Sequence, residues 1–187
     1  MTLFSTVLFV HVVAMLGLCV ALSFEAVGLA RLRKAANFAD MRAWIDPVPS
    51  LPFVAIGSIL LLLASGIYLT VQLQAWSLAW PKVAFLTLLL ISPLGAITGS
   101  RMRAIRQLVR QGEAADYRTL QQRLGDGFLS VSLGIRSAVV LGIVLIMAAK
   151  PSLYACLIIV ALSALGGVLF TFPTRRRAIT SQATGRS

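Results

Sequence analysis

Charge is scarce in this 187-residue chain: 12% of its residues are charged and only six are acidic, against roughly 25% charged in a soluble domain. Histidine occurs once and cysteine twice. One histidine cannot supply bis-histidine haem ligation within a single chain. Two cysteines without a CxxC spacing make neither a disulfide scaffold nor a metal cluster. Paired buried carboxylates, a phosphate-binding glycine loop and a nucleophile with a matched base are all missing from the sequence. A soluble enzyme, a disordered chain and a secreted disulfide-stapled domain are thereby excluded.

What is present is apolar. Hydrophobic residues make up 58% of the chain and the mean hydropathy is +0.89. A helix crosses the hydrocarbon core with about 20 mostly apolar residues. Five segments meet that length, at about 3–29, 51–73, 81–99, 128–149 and 153–172. They are too continuously apolar for the alternating strands of a membrane barrel. The expected fold is therefore an all-α membrane protein, five transmembrane helices in one bundle forming a single domain over residues 1–173. The first segment lacks a basic region ahead of it and a small-residue cleavage site, so it reads as a retained helix and not as a signal peptide.

The basic residues are distributed unevenly. Arg31, Arg33, Lys34 and Arg42 follow the first span, and Arg101, Arg103, Arg106, Arg110, Arg118 and Arg123 follow the third. Arg175, Arg176, Arg177 and Arg186 lie in the tail. Fourteen of the seventeen basic residues thus share one side. The positive-inside rule then puts the N-terminus outside and the C-terminus in the cytoplasm. The formal net charge of +11 is explained by attraction to anionic headgroups beside the spans. With no interleaved aromatics or nucleic-acid motif, no nucleic-acid partner is expected.

Between the spans, Trp44, Trp76 and Trp80 suit interfacial anchors, and Lys150-Pro151-Ser152 suits a tight outer turn joining two antiparallel helices. Residues 101–127 form an expected cytoplasmic amphipathic connector. Met102, Ile105, Leu108 and Val109 recur at helical spacing as an extension of the third span, and Gly112 interrupts them. Tyr117, Leu120 and Leu124 mark a second short amphipathic piece. That connector is either a headgroup-hugging link or a docking surface for a protein partner or a second copy. Residues 174–187 form a basic tail, expected to be loose past Arg177.

Few residues inside the spans carry chemistry. His11 and Glu25 lie fourteen residues apart on the first helix, nearly one face at 3.6 residues per turn. Arg136 sits about two turns inside the fourth helix, where an unpaired arginine is costly. Its depth matches that of Glu25, and an intramembrane Glu25–Arg136 charged pair satisfies both. His11 is either a structural hydrogen-bonding residue or a ligand to a cofactor. Ser58, Ser65 and Gln72 form a polar seam on the second helix with Tyr68 a turn away. Ser130, Gly134, Ala138 and Gly142, and Gly95 with Gly99, form small-residue stripes that let backbones approach closely. Cys19 and Cys156 fall at different depths, which argues against a disulfide.

The order of features HVVAMLGLCVALSFEAVG, SGIYLTVQ, AWSLAWPK and RMRAIRQL, over roughly the first 110 residues, resembles a family of uncharacterised bacterial predicted integral membrane proteins. More distantly it is similar to the copper-resistance D-like and HemJ-like membrane proteins. The HemJ-like resemblance implies a first-helix histidine associated with haem and a lysine after a tryptophan at a helix start, features matched here by His11 and Lys82. Three functions remain open. The first is an accessory, scaffold or small-molecule-binding subunit without a catalytic site. The second is a redox protein binding haem b or quinone through His11 with Tyr68 and Lys82 nearby. The third is a small transporter using His11, Glu25 and Arg136.

Overall fold

The computed structural model describes residues 2–35, 40, 51–111, 124, 125 and 127–184, and among them it is all-helical. Helices α1 (Leu3–Lys34), α2 (Leu51–Gln72), α3 (Ala79–Gln111), α4 (Gly127–Ala149) and α5 (Leu153–Thr184) follow in chain order, with a 3-10 turn at Ala75–Ser77 between α2 and α3. All five are long and apolar enough to cross a membrane. Helices satisfy their own backbone groups, which hydrocarbon cannot do for them.

Polarity is distributed inside out. Phe9, Leu16, Leu60, Leu90, Leu162 and Phe170 face outward, whereas Ser58, Ser65, Thr98, Ser132 and Arg136 are buried. Such an arrangement suits a multi-pass membrane protein and would be insoluble in water. The buried hydroxyls also bond within their own helices: Thr70 Oγ1 donates to the Gly66 carbonyl at 2.7 Å and Thr98 Oγ1 to the Leu94 carbonyl at 2.8 Å.

Close packing is made by small residues facing one another. Helices α1 and α2 form one extensive antiparallel pair and α4 and α5 another. A Cβ placed on Gly134 would lie 2.5 Å from the Gly167 carbonyl oxygen, and one on Gly167 would lie 2.5 Å from the Gly134 carbonyl oxygen. Only glycine allows α4 and α5 to cross this closely. Lys150 makes the turn between them in the left-handed region, φ 49°, its N–H closing α4 on the Ile146 carbonyl at 2.9 Å. Between α1 and α2, a Cβ on Gly17 would lie 2.7 Å from Ser58 Oγ. The small-residue stripe on α4 therefore packs within the chain.

Helix α4 is the most enclosed of the five and ties the two pairs together. Thr98 of α3 and Ser132 of α4 share a hydrogen bond of 2.8 Å in the buried seam. At the start of α4, Arg33 of α1 donates from Nε to the Leu124 carbonyl at 2.8 Å and from Nη1 to Ser130 Oγ at 2.6 Å. The Arg101 guanidinium lies over the Phe128 ring, 4.3 Å from its centroid. The C-terminal ends of α1 and α3 and the start of α4 thus meet at one arginine-rich end of the bundle.

Two helix ends bear on the sequence reading. The helix of the third span runs to Gln111, consistent with the expected extension. The fifth span, expected at 153–172, lies at Leu153–Thr171, and its helix α5 continues to Thr184, where a loose tail was expected past Arg177. Residues 174–184 are mostly arginine, alanine, glutamine and other helix-compatible types, and an already nucleated helix adds residues cheaply. The proposed amphipathic piece around Tyr117 and Leu120, the segment with Trp44, and Gly112 lie outside the described residues.

Candidate functional site

Glu25 is placed by the third quarter of α1 and Arg136 by the first half of α4, and the two helices bring them together. Arg136 Nη2 lies 2.5 Å from Glu25 Oε1. Arg136 is only 9% exposed, and its Nε has no partner among the described residues. Gly95 of α3 makes room for the guanidinium: a Cβ there would sit 3.2 Å from Nη1. The stripe Gly95/Gly99 therefore works asymmetrically. Gly95 accommodates an arginine, while the Cβ direction of Gly99 meets nothing within 4 Å.

The pair forms part of the wall of a cavity of about 340 Å³, within the range of small-molecule sites. Its walls come from four helices: Leu18 to Leu32 of α1, Pro52 to Leu60 of α2, Leu88 to Arg106 of α3, and Arg136 and Val140 of α4. Most of the lining is apolar. Its charged members are one acid, Glu25, and three bases, Arg103, Arg106 and Arg136. The sequence singled out Glu25 and Arg136 but treated Arg103 and Arg106 only as orientation signals. That they edge a cavity depends on α2 and α3 standing apart, which periodicity does not encode.

His11 lies elsewhere. Its Nδ1 is 2.8 Å from Ser65 Oγ, and Ser65 in turn donates to the Leu61 carbonyl. A Cβ on Gly66 would lie 3.5 Å from His11 Cε1, so the imidazole edge rests against bare backbone of α2. Tyr68 is half-buried one turn beyond Ser65, and Lys82 is exposed in the first turn of α3. No described contact joins either to His11. Gln72, the last member of the polar seam, is exposed. The α1 lining of the cavity begins at Leu18, two turns from His11, or about 10 Å along the axis at 1.5 Å per residue. Nδ1 is thus engaged by Ser65, Gly66 lies against one edge of the ring, and the cavity lies about two turns further along α1.

Cys19 and Cys156 are both free thiols, and Cys156 Sγ reaches the Pro151 carbonyl at 3.6 Å. Among the described residues no cluster of histidine, cysteine and carboxylate groups could hold a metal ion. No protein-family model, no curated protein and no solved structure matches the chain.

Proposed function

We propose that this chain is a bacterial inner-membrane protein, N-terminus outside and C-terminus cytoplasmic, that acts as a small-molecule-binding subunit without a catalytic site of its own. The observation that carries this reading is the cavity between α1, α2, α3 and α4, apolar along its walls and with the Glu25–Arg136 pair set into one of them. An apolar pocket with a few convergent polar groups is the general form of a ligand site. The orientation is supported by the arginines at one end of the bundle, and a C-terminal green-fluorescent fusion fluoresces only if that end is cytoplasmic.

The site is tested by filling it. Gly28 and Gly99 line the cavity, and a Cβ added at either meets nothing within 4 Å. Gly99→Phe and Gly28→Phe therefore start from open space and put a ring into the cavity. Solvent extraction of the purified wild-type protein, followed by mass spectrometry, is expected to release a compound in near-stoichiometric amount. Both filled variants should lose it while keeping their melting temperature. Equal amounts from wild type and both variants would refute the assignment. An absorption spectrum of the same preparations tests the haem alternative: a Soret band lost in His11→Ala would favour it.

A further inference from the structure

The cavity has an open side, and its walls change character along its length. Helix α2 touches α3 far less than it touches α1. The two are joined by the turn at Ala75–Ser77, and the cavity is lined by the parts of both farthest from that turn, Pro52 to Leu60 and Leu88 to Arg106. Ile56 and Leu60, both in the lining, are 56% and 61% exposed. The exposed face of Ala96 and the side chain of Arg103 border the same space. In a bilayer this slot faces acyl chains, not water.

The charges are graded along the slot. Gly95, against which Arg136 lies, and Arg103 are eight residues apart on α3, about 12 Å along its axis. Arg103 and Arg106 stand toward the arginine-rich end, where headgroups lie, and the apolar walls run from there toward Leu88. Arg103 Nε makes a long hydrogen bond of 3.4 Å to the Gly99 carbonyl, its one described partner. Deeper in, Arg136 is nine-tenths buried, paired with Glu25, and lines the same space. With Arg136 paired to Glu25, the further charge that the described lining offers is Arg103, whose described partner is a backbone carbonyl.

Resting on the ligand-binding reading above, we infer that the ligand is an anionic amphiphile, an acyl chain with a phosphate or carboxylate head, admitted sideways from the membrane between α2 and α3. The head meets Arg103 beside Arg106, the chain lies along Ile56, Ile59, Leu60 and Ile91, and Arg136 offers a donor to an oxygen partway along the molecule. A neutral quinone or a zwitterionic lipid would fill the same walls but bring no net negative charge to Arg103.

Native mass spectrometry of the full chain in mild detergent tests this with three probes: phosphatidylglycerol, phosphatidylcholine and oleate. Phosphatidylglycerol or oleate, or both, should bind at least about fivefold tighter than phosphatidylcholine, in keeping with the worth of one arginine beside an anionic head. The stronger of the two identifies a bilayer lipid or a free fatty acid as the source. Arg103→Gln should remove that preference, and Gly99→Phe should remove binding of all three. Equal binding of the anionic and zwitterionic probes, with Gly99→Phe still abolishing both, would overturn the anionic assignment and leave the cavity as the ligand site. Binding unaffected by Gly99→Phe and Gly28→Phe would overturn both. A preference for the anionic probes that survives Arg103→Gln would overturn the head placement.

Discussion

At the scale of single residues, the Glu25–Arg136 pair is the costliest feature of the molecule and the most informative. Breaking a buried ion pair from one side leaves a charge without compensation, typically about 3 kcal/mol. Glu25→Gln and Arg136→Gln should each lower unfolding stability in detergent by about that amount. The double variant should be less damaged than the worse single variant, because two neutral amides replace two complementary charges. A double variant worse than both singles would show that the two residues act separately. His11 belongs to the same scale but to a different place. Its hydrogen bond to Ser65 fixes the register of α1 against α2, and it does not border the cavity. Both partners of the ion pair were legible in the sequence because charge is so rare in these spans. The role of Gly95 was not, since a glycine that accommodates an arginine looks in sequence like any other member of a small-residue stripe.

Between elements, helix contacts depend on shape. With lipid outside, burial of apolar groups gives little drive for helices to associate, so close packing and internal hydrogen bonds hold the bundle. The Gly134–Gly167 crossing is the tightest test of this. Gly134→Val should destabilise the chain by about 1–3 kcal/mol through overpacking against α5 backbone. Gly166→Val, next to Gly167 but with nothing within 4 Å of its Cβ position, should be nearly neutral. Similar losses for the two in a thermal unfolding series would contradict the crossing. The α4–α5 hairpin was readable from Lys150-Pro151-Ser152, and the extension of α3 from the spacing of Met102, Ile105 and Val109. The run of α5 to Thr184 is not marked by hydropathy, which ends with the apolar span, although arginine continues a formed helix well. Small-residue spacing predicted close contacts but not their partners: Gly134 meets Gly167, whereas Gly99 meets open space.

At the scale of the whole molecule, five helices arranged as two pairs around a central α4 leave a gap where α2 and α3 diverge. The number of spans follows from hydropathy, since each must be about 20 residues long whatever its neighbours are. The gap does not, because it arises where α2 packs mainly on α1 and α3 mainly on α4, and no local pattern in α2 or α3 records it. A ligand in that gap is what separates a binding subunit from a purely structural one. The most direct measurement is photolabelling of the full chain in phosphatidylglycerol-containing vesicles with an acyl-chain diazirine lipid, the adducts mapped by peptide mass spectrometry. Adducts concentrated in peptides covering Pro52 to Leu60 and Leu88 to Arg103, and displaced by Gly99→Phe, are the predicted result. Adducts spread evenly over the outward faces, including Leu162, Leu169 and Phe170 of α5, and unchanged by Gly99→Phe, would contradict it.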